Sequence, residues 1–319
     1  MIYSNGTVIK SQNDKEYDSL YKLSMESYLL SLKNYNDSLV EIVECDTRSI
    51  GCTALNETFN IKEFFSNIGK AIKTFFSKII EVCKAVKLMI ENKFYTSDQL
   101  IVKHIDEFKT KVEKYGKTIS YDILIPNPSK DVFGTNGSKY SNSVVAQIDK
   151  VFIDFVNSNG SNNTILDKDI ESSMNEIRGK ICDKDSLTAA DFKSELENSL
   201  LIKKSGTGLT QDIVTHIIKT MNQSPEALHN AWVKTSQNQM KDMLKTVDKI
   251  SKVNENNVDE KSFAKMKAYI NGSMNIINVI HTSYMNANVK IIQDARKLFL
   301  QVMRTIKTPT GDKTEESEA

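Results

Sequence analysis

The chain has 319 residues, of which 39% are hydrophobic and 26% are charged, a balance typical of folded proteins and not of disordered ones. Because 42 basic residues face 41 acidic ones, the formal net charge is only +1, which excludes overall charge as a basis for binding nucleic acid. With only 12 glycines and 4 prolines, the composition favours long helices with few corners over a β-rich fold.

The N-terminal part is acidic, with five Lys or Arg residues against nine Asp or Glu residues in positions 1–59. Residues 1–15 are expected to form an extended, loosely held arm. Apolar residues at helical spacing predict a helix from Asp18 to Cys45, followed by a connection with Gly51 as its breaker. The opening residues lack the apolar core of a signal peptide, and no long uncharged apolar window predicts a membrane-spanning helix.

Residues 60–94 carry the strongest helical pattern, because large apolar side chains recur every three or four residues. Seven lysines against three glutamates give this segment a formal charge of +4. Asn60, followed three residues later by Glu63, predicts an N-cap with its capping-box partner. The candidate interaction face of this helix consists of Phe64, Phe65, Ile68, Ile72, Phe75, Phe76 and Ile79 with Lys70, Lys73 and Lys78.

The pattern of this basic helix leaves three uses open: a core helix with its lysines in water, an interfacial membrane helix, or a surface that follows DNA phosphates. The acidic N-terminal segment either docks on the basic helix or forms a separate solvated face. Burying the apolar face would stabilise the protein by about 1.5–3 kcal/mol for each large apolar side chain that leaves water. We therefore expect another part of this chain, or a partner, to cover it.

The middle of the chain predicts shorter elements. A break at 95–98 precedes a helix that ends before Gly116, and 120–125 predicts either a strand or an extended segment packed on helices. Prolines, glycines and polar residues make 126–143 the best candidate boundary. The remaining predictions of this part are helices at 144–156, 166–181 and 188–201, with Thr188 and Asp191 as a capping pair, and a turn at 205–208.

The C-terminal third is the most regular part. It predicts a short helix at 211–221, a long helix from Pro225 to about Val253, and a second long helix over 259–306. The short turn between the long helices predicts an antiparallel hairpin. Alternating steps of four and three residues predict a helix seam that includes Ile270, Ile277, His281, Tyr284, Asn288, Ile291 and Leu298.

Together these elements predict an all-α fold, an elongated helical bundle with a long antiparallel C-terminal helix hairpin. The predicted regions are an N-terminal helical region (1–125), a middle region of short helices and loops (126–210), the hairpin (211–306) and a disordered acidic tail (307–319).

The sequence predicts no catalytic, cofactor-binding or metal-binding residues. The four histidines and four cysteines show no zinc spacing, and we expect reduced thiols, with Cys45 and Cys52 as the only local pair to check for a disulfide. The segment that begins at Asp183 lacks the glycine of a calcium loop. His281, on the seam, is either a buried polar residue that sets helix register or a pH-sensitive packing switch.

The segment FFSNIGKAIKTFFSKIIEVCKAVKLMI resembles the internal head proteins of large tailed bacteriophages. In those proteins a helix similar to MESYLLSLKNYNDSLVEI precedes it, a variable middle follows, here including NEIRGKICDKDSLTAADFKSELEN, and a long helical pair like 226–306 closes the chain. The similarity lies in the order of the segments and in their residue patterns, and it extends over about 280 residues.

This resemblance implies a non-enzymatic virion structural protein, made in the host cytoplasm and packaged inside the head with the genome, whose partners are other virion proteins. Processing by a head protease, ejection with the genome, contact with the packaged DNA and homo-oligomerisation stay open. The alternative is a membrane-active helical protein that exposes helix 60–94 to a membrane surface.

Overall fold

The structure, a computed structural model, describes residues 3–4, 7–8, 61–133, 136–158, 169–222, 225–251 and 260–304. This part is mostly helical, which confirms the predicted all-α class. Its helices are α1 (Ile61–Tyr115), α2 (Asn136–Asn157), α3 (Ile170–Ile181), α4 (Ala189–Leu200), α5 (Gln211–Met221), α6 (Pro225–Ile250) and α7 (Glu260–Arg304). Its strands are β1 (Tyr3–Ser4), β2 (Thr7–Val8), β3 (Ser120–Pro126) and β4 (Leu201–Thr207).

Several predictions fall elsewhere in the chain. The predicted helix 18–45, the connection that follows it, the Asn60 cap, the turn after Val253 and the acidic tail 307–319 lie outside the described residues. Of the predicted N-terminal arm, only the antiparallel pair β1–β2 is described. The division into three regions and a tail stays a prediction.

Helix α1 is 55 residues long, so the predicted break at 95–98 is wrong. That stretch contains Tyr95, Thr96, Ser97 and Asp98 but neither glycine nor proline, and each of these residues costs only a few tenths of a kcal/mol in a helix. Buried side chains on both sides of the stretch outweigh this cost. The helix ends where Gly116 was expected to stop it, and a short 3₁₀ turn, Gly116–Thr118, follows.

The interior consists of two hydrophobic clusters, and helices α1 and α7 contribute to both. The larger cluster contains side chains from Phe64 in α1 to Ile291 in α7. The smaller cluster joins Phe108 of α1 to β3, α5 and the last turns of α7. In it the rings of Phe108 and Phe299 stack with centroids 4.7 Å apart. The two longest helices therefore connect the two clusters.

The long helices pack in an order that the sequence did not predict. Helices α1 and α2 each pack against both α6 and α7. The main partners of α6 are therefore α1 and α2. Helix α6 contacts α7 at Trp232, whose ring centroid lies 4.5 Å from that of His281. The sequence predicted that α6 and α7 form a hairpin, but in the structure α6 packs mainly on α1 and α2 and not along α7. The predicted bundle arrangement stays a prediction.

Residues 120–125 lie in a strand, one of the two alternatives that the sequence left open, and its partner strand was not predicted. Strand β3 pairs antiparallel with β4, with Ser120 opposite Thr207 and Pro126 opposite Leu201. The sequence assigned Leu201 to the preceding helix and 205–208 to a turn. Only Gly208, with φ of 90°, has the backbone of a tight turn.

The boundaries of helices α2 to α6 agree with the predictions at most ends. Thr188 caps α4 by accepting a hydrogen bond from the backbone N–H of Asp191, as predicted. Pro225 is the first residue of α6, as predicted. Helix α2 begins at Asn136, eight residues before the predicted start, because its polar first turns pack against α6 through side-chain hydrogen bonds.

Candidate functional site

The apolar half of the predicted interaction face lies inside the larger cluster. Its seven side chains are all buried: Phe64, Phe65, Ile68, Ile72, Phe75, Phe76 and Ile79. The ring of Phe263, at the start of α7, lies 5.1 Å from Phe64 and 5.8 Å from Phe65. The chain therefore covers this face itself, as expected of a core helix.

The three lysines of the predicted interaction face point outward, on the side of α1 away from the core. Lys70 and Lys73 are exposed and Lys78 is half-buried. Because these lysines lie opposite the buried side chains, substituting them would not disturb the core. None of the described helices is long and apolar enough to cross a bilayer.

The residues of the predicted seam of α7 are all buried. Its apolar members face the interior together with its polar members His281 and Asn288, which are 1% and 7% exposed. Tyr284 is fully buried, and its hydroxyl donates to the backbone carbonyl of Lys130 at 3.3 Å. Burial raises the pKa of the Tyr284 hydroxyl. The buried apolar members of the seam are Ile270, Ile277, Tyr284, Ile291 and Leu298.

His281 lies at the junction of α2, α6 and α7. The rings of Trp232 and His281 meet edge-on. Trp232 also packs closely on Gly137, where the Cβ of any other residue would lie 2.5 Å from the indole ring. Within the described part of the chain, neither ring nitrogen of His281 has a hydrogen-bond partner. Burial lowers the pKa of His281 to about 3, so the imidazole is neutral near pH 7.

Two turns beyond Trp232 along α6, a polar contact joins α6 to α2. Gln239 is buried, and its Nε2 donates to Ser141 Oγ at 2.8 Å and to Asn142 Oδ1 at 2.6 Å. The Gln239 Oε1 atom and the neighbouring Ser236 Oγ are buried and have no partner among the described residues. This polar contact fixes the register of α6 against α2.

A buried cation holds the end of α3. Lys130 is 5% exposed, and its Nζ donates to Asp183 Oδ2 at 2.5 Å and to the carbonyl of Ile181 at 3.5 Å. Burial lowers the pKa of Lys130, but the hydrogen bond to Asp183 and the attraction of nearby Tyr140 outweigh it, so this pKa is raised. The ammonium therefore stays charged and neutralises the carboxyl end of the helix.

We expect Asp183→Asn to lower the free energy of unfolding by about 1–3 kcal/mol, because it removes the charge that compensates buried Lys130. Asp183 has a φ of 59°, a conformation that asparagine also accepts, so the backbone is retained. Urea denaturation of both proteins measures the difference. Asp185→Asn, at an exposed neighbour, is the matched control, and equal losses in the two variants would contradict this role.

The thiols and histidines of the described part are dispersed. Burial raises the pKa of Cys83 to about 12 and that of Cys182 to about 11, so both are protonated at neutral pH and neither is an activated nucleophile. Burial also lowers the pKa of His216 to about 4. Among the residues the structure describes, no group of three or more His, Cys, Asp or Glu side chains could hold a metal ion.

Sequence reasoning identified the faces but missed the contacts between elements. The pair Lys130–Asp183 joins residues 53 positions apart, and Gln239 meets residues nearly 100 positions away. A buried lysine in a polar loop leaves no periodic signal. The one available hint at Gln239 was a polar residue on the same face of α6 as Trp232 and Met243.

The chain matches no family model, no curated protein and no solved structure.

Proposed function

We propose that this protein is a structural protein of a bacteriophage particle, packaged inside the head with the genome and without catalytic activity. The order of its segments supports this best. Among the described helices, the aromatic and basic helix α1 comes first, shorter elements follow, and the long helices α6 and α7 come last. This is the order of the internal head proteins that the sequence resembles.

The proposed mode of action is packing against other virion proteins. It is supported by the use that the described part makes of its reactive and polar side chains. The thiols are buried and protonated, Lys130 joins the loop after β3 to the end of α3, and Gln239 joins α6 to α2. Helix α1 spans about 80 Å at 1.5 Å per residue and α7 spans about 67 Å. Long, stiff helices suit a component that keeps its shape in a crowded capsid interior.

Peptide mass spectrometry of purified, nuclease-treated phage particles from the source tests this proposal. We expect abundant peptides of this chain in the particles, and peptides that begin only well inside the sequence would indicate processing. Absence from particles, with the protein abundant in cells, would overturn the proposal. A soluble lysate fraction from the same infection is the control for contamination.

The membrane-active alternative requires the apolar face of α1 to leave the core. Phe75 and Phe76 are buried, so placing glutamate at these positions would unfold the protein and could not isolate an effect on lipid binding. Flotation of the unmodified protein with vesicles containing about 30% anionic lipid, read together with hydrogen exchange of α1, is the better test. Flotation with loss of protection over 64–80 would favour the alternative, and no flotation would remove it.

A further inference from the structure

The β3–β4 sheet has one covered edge and one open edge. Along the outer side of β3, the backbone N–H of Leu124 donates to Asp294 Oδ2 at 2.8 Å, and Gln301 Nε2 donates to the carbonyl of Ser120 at 3.1 Å. Helix α7 therefore satisfies that edge. The outer edge of β4 has no strand beside it among the described residues, and β4 exposes most of its length, including Ile202.

The register shows which backbone groups of β4 face outward. In an antiparallel pair, residues of non-hydrogen-bonded pairs point their N–H and C=O groups away from the partner strand. Since Leu124 and Ser120 use these groups toward α7, their opposite residues Lys203 and Thr207 point theirs to the open side. Ser205, between them, does the same, so a row of donors and acceptors is available for another strand.

The side chains along this edge determine which strand it accepts. Lys203 lies 3.1 Å from Asp122, whereas Lys204 pairs with no carboxylate in the described part of the chain. In a symmetric antiparallel pairing centred on Lys204, a second copy would place two Lys204 ammonium groups opposite each other. Like charges directly opposite are destabilising, so the edge disfavours this pairing of two copies and favours a strand with an acidic side chain opposite Lys204.

We propose that the outer edge of β4 binds an extended acidic segment of another protein, which joins the sheet as a third, antiparallel strand. The bound segment places an acidic side chain opposite Lys204 and an apolar side chain two residues on, opposite Ile202. Main-chain hydrogen bonds to Lys203, Ser205 and Thr207 supply the attraction, and Lys204 supplies the selectivity. This inference does not depend on the proposed packaging in a phage head.

The test uses the full chain and two acetylated seven-residue peptides, Thr-Glu-Thr-Glu-Thr-Val-Thr and Thr-Lys-Thr-Lys-Thr-Val-Thr, in which a charged residue stands two positions before valine. Hydrogen–deuterium exchange of the peptic fragments that cover 200–208 is followed at up to about 1 mM peptide. We expect the acidic peptide to slow exchange of the outward amides about tenfold and the basic peptide to leave it unchanged. Lys204→Glu should reverse this preference, and Lys150→Glu, an exposed charge reversal on α2, should not.

Four results would overturn the proposal. The first is no slowing of exchange with either peptide, and the second is equal slowing with both. The third is protection that rises with protein concentration in the absence of peptide. The fourth is protection without peptide that is abolished in a triple variant, Glu315→Lys, Glu316→Lys and Glu318→Lys. The third result would assign the edge to a second copy, and the fourth to the acidic end of this chain. Circular dichroism of each variant confirms that the fold is intact.

Discussion

Replacing Phe76 with alanine is expected to lower the free energy of unfolding by about 3–5 kcal/mol. Phe76 is 0% exposed, and its ring packs edge-on against Phe75 with centroids 5.1 Å apart. Alanine would remove most of this buried side chain and leave a cavity, because the surrounding helices cannot close on the space. Urea denaturation followed by circular dichroism measures the loss.

The matched control is Lys73→Ala, three residues earlier on the exposed side of the same helix. It keeps helix propensity and removes no buried contact, so we expect a change within about 0.5 kcal/mol. If Phe76→Ala cost less than about 1 kcal/mol, the apolar face would not belong to the core in solution. The face would then return to the role of a surface for a partner or a lipid membrane.

Periodicity was sufficient for the parts of the fold that one segment specifies by itself. The apolar stripe that begins at Phe64 and the seam from Ile270 to Leu298 are buried as their spacing predicted. Local capping chemistry located the start of α4 at Thr188, and proline located the start of α6. These features depend on residues within a few positions of one another.

The errors arose where distant segments decide the outcome. Strand β4 carries two adjacent lysines and a glycine, so it lacks the appearance of a strand, and its partner β3 lies about 80 residues earlier. Helix α1 continues through its polar residues 95–98 because packing on both sides overrides modest local propensity. The position of α6 against α1 and α2 depends on interlocking side chains that no single segment reveals.

Lowering the pH from 7.5 to 5 is expected to cost the native state about 2 kcal/mol through His281 alone. Burial lowers the pKa of this residue from 6.5 to about 3, so the unfolded chain binds a proton below pH 6.5 that the native chain does not bind until about pH 3. The stabilisation is therefore complete above pH 6.5 and is lost as the pH falls toward 3. His216, with a pKa lowered to about 4, adds to the same trend.

The measurement follows from the geometry, because the only tryptophan of the chain, Trp232, lies against the His281 ring. Urea unfolding followed by Trp232 fluorescence at pH 7.5 and pH 5 gives the free energy of unfolding and reports on the junction of α2, α6 and α7. Since no charged group contributes to the pKa shift of His281, the effect should change little with salt concentration.

His281→Leu separates the two roles that the sequence left open. Leucine keeps the seam filled and cannot titrate, so the loss of stability between pH 7.5 and pH 5 should shrink by about 2 kcal/mol. At pH 7.5 the variant should be at least as stable as the unmodified protein, because two unpaired buried nitrogens are removed. Asn288→Leu, at a buried seam residue that does not titrate, should leave the pH dependence unchanged. If His281→Leu retained the full pH dependence, the junction would not be the element that responds to acid, and His281 would only set the register of the helices.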